Sequence, residues 1–167
     1  PCAVESKEQF ENTLSYLLEL GIKYIRVGLH KPRTSSESFQ GLGKDYYEEI
    51  IRLKKEHNFV VVSEILSEAD FFEMDKFVDV FQVGCRNMQN FGLLKFLAKN
   101  TEKPILLKRG ISATLNELIN SARYFPKQFS KGEVYLCLRG IRTFEQINSE
   151  MRNTPDLGAI LELKKSG

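Results

Sequence analysis

Short apolar runs alternate with amphipathic helical patterns along the whole sequence, and this alternation is the feature that most restricts the fold. The runs are apolar along their length, which is typical of strands buried on both faces of a parallel sheet. Six such runs are present, at residues 2–4, 24–29, 59–64, 78–84, 104–108 and 133–138. The pattern predicts an α/β fold, either an open doubly wound sheet or a (β/α)8 barrel. A complete barrel needs two more strands than these.

A segment with helical spacing of its apolar residues follows each run. Ser6 with Gln9, and Thr114 with Glu117, have the spacing of a capping box and predict helix starts. The predicted helices cover about residues 7–20, 45–56, 68–77, 89–99, 114–124, 143–149 and 156–165. No glycine-rich phosphate loop follows the first strand, so the main signature of dinucleotide-binding and P-loop proteins is missing.

Length and composition favour one domain, residues 1–167, of a soluble cytoplasmic protein. The formal net charge is only +2 at pH 7, so no overall field argues for binding to nucleic acid or to a membrane surface. The sequence has no apolar stretch long enough to span a bilayer and no signal-peptide pattern. Its three cysteines, Cys2, Cys85 and Cys137, are odd in number and far apart, which disfavours a disulfide framework or a zinc ribbon.

Ionisable side chains occur at or just after the carboxyl ends of most predicted strands, which form one mouth in parallel α/β folds. A loop of residues 31–43 (KPRTSSESFQGLG) contributes two of these charges. The full set, called the cation ring because most members are cationic, is Arg26, Lys31, Arg33, Glu64, Arg86, Lys108, Arg109 and Arg139. Because unpaired charge crowded in a cleft is costly, the ring predicts a ligand with several phosphates or carboxylates. The alternative is a rim neutralised by salt bridges.

Cys2 ends the first predicted strand, so it is expected at the same mouth. Its thiolate is a candidate metal ligand, and a small packing residue is the alternative. Cys85 and Cys137 are expected to pack in the interior. His30 adjoins Lys31 and is expected to point away from the mouth or to pack.

Several segments together resemble the signature motifs of the 3-deoxy-arabino-heptulosonate-7-phosphate (DAHP) synthases, most closely the type I beta branch. They are residues 1–6 (PCAVES), 31–35 (KPRTS), 38–43 (SFQGLG), 84–90 (GCRNMQN), 106–110 (LLKRG), 139–145 (RGIRTFE) and 152–154 (RNT). The resemblance implies a (β/α)8 barrel that condenses phosphoenolpyruvate with erythrose 4-phosphate and releases phosphate, the first step of the shikimate pathway. It also implies a dimer or tetramer and a divalent metal, with manganese favoured over iron, cobalt or zinc.

The resemblance also assigns roles to individual residues. Lys31 and Glu64 are implied to be catalytic, with Lys31 reaching the reacting centre between the two substrates. The phosphoenolpyruvate-binding residues are implied to be Arg26, Lys31, Arg86, Lys108 and Arg139. Lys31, Arg33 and Thr34 are implied to bind erythrose 4-phosphate, and Cys2 is implied to bind the metal.

The sequence departs from the family pattern in ways that matter for activity. Members of the family continue to a seventh and an eighth strand that carry the other metal ligands, so the chain is expected to hold about six of eight βα units. The 167 residues alone are therefore expected to be inactive. Cys85 stands where alanine is usual. The alternatives are an octulosonate-8-phosphate synthase, which typically has Lys-Ala-Asn-Arg where residues 31–34 read KPRT, or a non-catalytic binder of phosphorylated ligands.

Overall fold

A computed structural model describes residues 3–33, 35–142, 144 and 153–165. Its contacts divide the chain into two compact units, Pro1–Gln82 and Val83–Gly167. Strands and α-helices alternate in the order α1 Lys7–Glu19, β1 Tyr24–Arg26, α2 Tyr47–His57, β2 Val60–Ile65, α3 Phe71–Met74, β3 Val80–Val83, α4 Phe91–Asn100, β4 Ile105–Lys108, α5 Leu115–Ala122, α6 Pro126–Ser130, β5 Val134–Cys137 and α7 Leu157–Lys165. Short 3-10 helices, Gly43–Tyr46 and Glu68–Asp70, precede α2 and α3.

The first unit is built on β1 and β2, which pair in parallel with Ile25 opposite Val61. The backbone N–H of Asp79, at the entry to β3, donates to the Val61 carbonyl at 2.9 Å, so β3 follows β2 in the sheet. The core of this unit is apolar and rich in phenylalanine. Its fully buried large side chains are Phe10, Leu14, Ile25, Leu29, Ile50, Phe59, Ile65, Met74, Phe77 and Phe81.

The second unit contains β4 and β5, which also pair in parallel, with Ile105 opposite Val134 and Lys108 opposite Cys137. Three buried leucines of α4, Leu93, Leu94 and Leu97, contribute to its core. The short helix α6, which opens with Pro126, was not predicted. Among the described residues no helix is both long and apolar enough to cross a bilayer.

Local sequence signals explain where α1, α4 and α5 begin and where α2 ends. The Ser6 side chain accepts a hydrogen bond from the Gln9 N–H at the start of α1, and Asn90 caps α4 in the same way. Thr114 and Glu117 form a complete capping box at the start of α5, as predicted. Asn58 ends α2 in the left-handed conformation, with φ of 50°.

The prediction that the strands are buried on both faces is wrong for four of the five described strands. Only β3 is fully buried, whereas burial alternates along β1, β2 and β4 and is incomplete along β5. A second face is buried only where another layer packs on it. The partly exposed faces carry Arg26 and Glu64 in the first unit and Lys108 in the second.

Two sequence predictions lie partly or wholly outside the described residues. The predicted first strand includes Cys2, which is not described, although the Val4 N–H donates to the Gly28 carbonyl beside β1 at 2.9 Å. The helix predicted at 143–149 likewise falls largely on residues that the structure does not describe.

Candidate functional site

The loop after β1 is closed at its base by backbone hydrogen bonds. The Lys31 N–H donates to the Gln40 carbonyl at 2.7 Å, and the Gly43 N–H donates to the Leu29 carbonyl at 3.0 Å. Gly41 lies between these bonds with φ of 100°, and a Cβ there would lie 2.0 Å from the Leu29 oxygen. The shape of the loop that carries Lys31 therefore depends on glycine at position 41.

His30 packs against Tyr47, as predicted. Its Nε2 lies 2.6 Å from the hydroxyl of Tyr47, and the two rings meet edge to face with centroids 5.8 Å apart. Tyr47 also contacts Phe77 with ring centroids 5.0 Å apart. His30 is thereby directed toward the core side of the loop, which leaves the neighbouring Lys31 as the cation at the loop base.

Arg26 and Glu64 lie on the same face of the first unit's sheet. Arg26 is the in-register partner of Val62, and Glu64 follows Val62 by two residues, so all three side chains project to one side. The Glu64 Oε2 accepts a hydrogen bond from the Gln82 amide at 2.8 Å. Arg33 donates from Nε to the Phe39 carbonyl at 3.1 Å, and its neighbour Thr34 lies outside the described residues.

The second unit places its cations at the ends of β4 and β5. Lys108 is the last residue of β4 and shares a face with its partner Cys137. Arg139 follows β5 by two residues, and its Nη1 lies 3.0 Å from the Cys85 sulfur. Its Nε is buried without a hydrogen-bond partner in the described part of the chain. A buried guanidinium donor without an acceptor is costly, so this arrangement favours an incoming anion.

An open cavity of about 440 Å³ lies beside these residues in the second unit, lined by Cys85, Arg86, Gln89, Glu117 and the turn 110–113. The Gly110 N–H donates to the Met88 sulfur at 3.0 Å, which fixes one wall. The Thr114 hydroxyl and N–H hydrogen-bond the Glu117 carboxylate and lower its pKa. The cavity therefore combines an exposed arginine with a carboxylate already engaged by a helix cap.

Comparison with known proteins identifies the family. The sequence model of the DAHP synthetase I family matches residues 1–166. The chain belongs to this family. The phospho-2-dehydro-3-deoxyheptonate aldolase of Thermotoga maritima is 42% identical over 165 residues, covering 99% of this chain and 47% of that protein. The 2-dehydro-3-deoxyphosphooctonate aldolase of Francisella tularensis subsp. holarctica is 28% identical over 164 residues, covering 92% of this chain and 58% of that protein.

Solved structures of DAHP synthases support the fold. A crystal structure of the Thermotoga maritima aldolase (DAHP synthase) is 41% identical with a TM-score of 0.81, covering 99% of this chain and 47% of that one. A truncated form of the 3-deoxy-D-arabino-heptulosonate 7-phosphate synthase from the same organism is 37% identical with a TM-score of 0.78. The match covers 99% of this chain and 58% of that one. The chain thus spans about half the length of the relatives it matches. The predicted (β/α) barrel, of which the chain forms part, is confirmed.

One member of the predicted cation ring, Arg109, is paired within the protein. The Arg109 Nη1 lies 2.8 Å from Asp156, and its Nε donates to the Ala113 carbonyl at 2.8 Å. Both partners of this ion pair are about four-fifths buried. Arg109 is therefore neutralised within the protein and connects the end of β4 to the start of α7.

The two described cysteines differ from the expectation that they pack in the interior. Both are only partly buried, and Cys85 faces a guanidinium instead of an apolar neighbour. The contact between Cys85 and Arg139 joins residues 54 positions apart, so no local pattern could have indicated it.

The described residues do not fit a metal ion. No three His, Cys, Asp or Glu side chains lie close enough together within residues 3–33, 35–142, 144 and 153–165 to hold one. Cys2, the predicted ligand, is outside these ranges. The metal site of this DAHP synthase family member stays a prediction, and no catalytic step is assigned to a metal.

Proposed function

We propose that the protein to which this chain belongs is a transferase that condenses phosphoenolpyruvate with erythrose 4-phosphate and water to give DAHP and phosphate. In this reaction C3 of phosphoenolpyruvate bonds to the aldehyde carbon of the tetrose, water adds at C2, and the phosphate group leaves. This is the first step of the shikimate pathway. The membership of the DAHP synthetase I family supports the reaction class.

The observation that carries the proposal is the state of Arg139. One of its nitrogens contacts the Cys85 sulfur and another is buried without an acceptor, although arginine is suited to bind a phosphate through parallel N–H donors. Lys108 also has no carboxylate partner in the part of the chain that the structure describes. These two cations are proposed to bind phosphoenolpyruvate, because its phosphate and carboxylate would neutralise them, and Arg86 is proposed to contribute further N–H donors.

The loop of the first unit is proposed to bind the phosphorylated tetrose. Lys31 and Arg33 would bind the anionic substrate, and Lys31 would donate a hydrogen bond or proton to the oxygen formed from the aldehyde. Glu64 is proposed to act near the reacting carbon. The assignments of Arg26 to phosphoenolpyruvate and of Thr34 to the tetrose phosphate stay predictions. So do the homo-oligomer, the manganese and the cytoplasmic location.

The test measures phosphate release from phosphoenolpyruvate by the full polypeptide that contains this sequence, with Mn²⁺ present and a chelator as control. We expect release only when erythrose 4-phosphate is added. Lys108→Ala should raise KM for phosphoenolpyruvate by about tenfold or more, because a charge-assisted hydrogen bond is lost. Lys99→Ala is the matched control, since Lys99 is an exposed lysine on the last turn of α4.

Two results would overturn the proposed reaction, and a third would overturn the assignment of Lys108. Release with arabinose 5-phosphate instead of erythrose 4-phosphate would identify an octulosonate-8-phosphate synthase. Binding of phosphoenolpyruvate without release by the full polypeptide would identify a binder. Equal effects of the Lys108 and Lys99 substitutions would remove Lys108 from the site. The 167 residues alone, prepared at their intact mass, are expected to give no turnover.

A further inference from the structure

Two adjacent tyrosines, Tyr46 at the end of the 3-10 helix and Tyr47 at the start of α2, differ in what their hydroxyls contact. Both are buried, Tyr46 with 8% and Tyr47 with 5% of its surface exposed. The Tyr47 hydroxyl lies 2.6 Å from His30 Nε2, whereas the Tyr46 hydroxyl is buried and has no hydrogen-bond partner within the described residues. One hydroxyl therefore connects α2 to the loop after β1, and the other does not.

Tyr47 can hold His30 whichever of the two groups donates the hydrogen bond. Burial raises the pKa of Tyr47, so the phenol keeps its proton at neutral pH. A phenol can donate or accept a hydrogen bond, so its hydroxyl can pair with either tautomer of His30 at the observed 2.6 Å.

His30 is placed where its position controls the loop. Its two chain neighbours make the closing hydrogen bonds, since the Leu29 carbonyl accepts from Gly43 and the Lys31 N–H donates to Gln40. The ring also lies against the returning chain, because a Cβ on Gly43 would be 3.6 Å from His30 Cε1. Fixing the imidazole therefore fixes the backbone from which Lys31 projects.

We propose that Tyr47 is a positioning residue, whose hydroxyl holds His30 and thereby keeps the loop of residues 31–43 ordered before a phosphorylated substrate binds. Ordering the loop in advance reduces the entropy lost on binding. The role in substrate binding rests on the function proposed above. The role in ordering the loop is independent of it.

The test compares Tyr47→Phe with Tyr46→Phe, each of which removes one buried hydroxyl and keeps the ring. Amide hydrogen exchange is measured by NMR at Lys31 and Gly43 in the full polypeptide that contains this sequence. We expect exchange at both amides to be roughly fivefold faster in Tyr47→Phe, the factor for one net hydrogen bond, and unchanged in Tyr46→Phe.

The outcomes separate this inference from the proposed function. Equal exchange in the two variants would overturn the inference whatever the enzyme assay gives. Faster exchange in Tyr47→Phe, with kcat/KM for erythrose 4-phosphate lowered about fivefold, would support both. Faster exchange in Tyr47→Phe when the wild type does not use erythrose 4-phosphate would support the ordering role and overturn the proposed function.

Discussion

Gly41→Ala should disrupt the loop of residues 31–43 more than the size of one methyl group suggests. The new Cβ would lie 2.0 Å from the Leu29 oxygen and 2.8 Å from the Leu29 carbonyl carbon, whereas ordinary contact begins at 3.4 Å. The neighbour is backbone, so it cannot rotate away as a side chain would. The Leu29 carbonyl would have to move by more than an ångström, and that carbonyl accepts the hydrogen bond from Gly43.

The cost has two parts. Alanine at a φ of 100° is disfavoured by about 1–2 kcal/mol relative to glycine, on the scale of other left-handed L-residues. Moving the Leu29 carbonyl breaks its bond to Gly43 and strains the adjacent bond between Lys31 and Gln40, at about 1 kcal/mol each. The sum is about 3–4 kcal/mol of loop stability.

Gly21→Ala is the matched control, because Gly21 also has a positive φ, of 74°, but nothing lies within 4 Å of the position that its new methyl group would take. Gly21→Ala should lower the free energy of unfolding only by the cost of alanine at a positive φ, about 1–2 kcal/mol. Urea unfolding measures the global loss in both variants, and amide exchange at Lys31 and Gly43 measures loop opening directly. If the loop opens locally, exchange shows the larger effect. Equal effects of the two substitutions on both measurements would refute the steric argument.

Two further predictions concern stability outside the loop. Thr114→Ala should cost about 1 kcal/mol in urea unfolding, because it removes half of the capping box with Glu117; no measurable loss would mean that the box is dispensable. Glu49 accepts hydrogen bonds from Arg52 and Lys7 that lower its pKa from 4.5 to about 2. Above pH 4.5 the free energy of unfolding in urea should therefore be about 1 kcal/mol higher for the wild type than for Glu49→Gln. This difference should be lost as the pH falls through about 2, and a difference that stays constant with pH would contradict the prediction.

The sequence predicted the features that depend on neighbours along the chain. The starts of α1 and α5 followed from Ser6 and from the pair Thr114 and Glu117, because an N-cap acts within one helical turn. The strand positions followed from apolar runs, and the family from motifs spread over the chain. The 3-residue length of β1 was missed, since the apolar run continues to Leu29 although strand pairing does not.

Contacts between distant positions could not be predicted in the same way. The hydrogen bond between Arg139 and Cys85 joins residues 54 positions apart, and the hydrogen bond between Tyr47 and His30 joins residues 17 positions apart. Neither pair has a fixed spacing that repeats among proteins, in contrast to a capping box. The sequence could place Arg139 at the end of a strand, but only the folded chain shows which of its nitrogens already has a partner.

The projection of Lys108 and Arg109 to opposite faces could have been inferred from the sequence, because it follows from strand geometry. Successive side chains of a strand project to opposite faces, and the Arg109 N–H still donates to the Cys137 carbonyl at 2.8 Å, so the ladder continues through it. Two consecutive cations at a strand end therefore project to opposite faces of the sheet. Burial alternates along β4 with Lys108 on the partly exposed face, so Arg109 projects to the other side, where its charge requires a partner such as Asp156. For any two adjacent cations of a predicted ring, the same rule would direct one side chain toward the ligand and the other toward a partner within the protein.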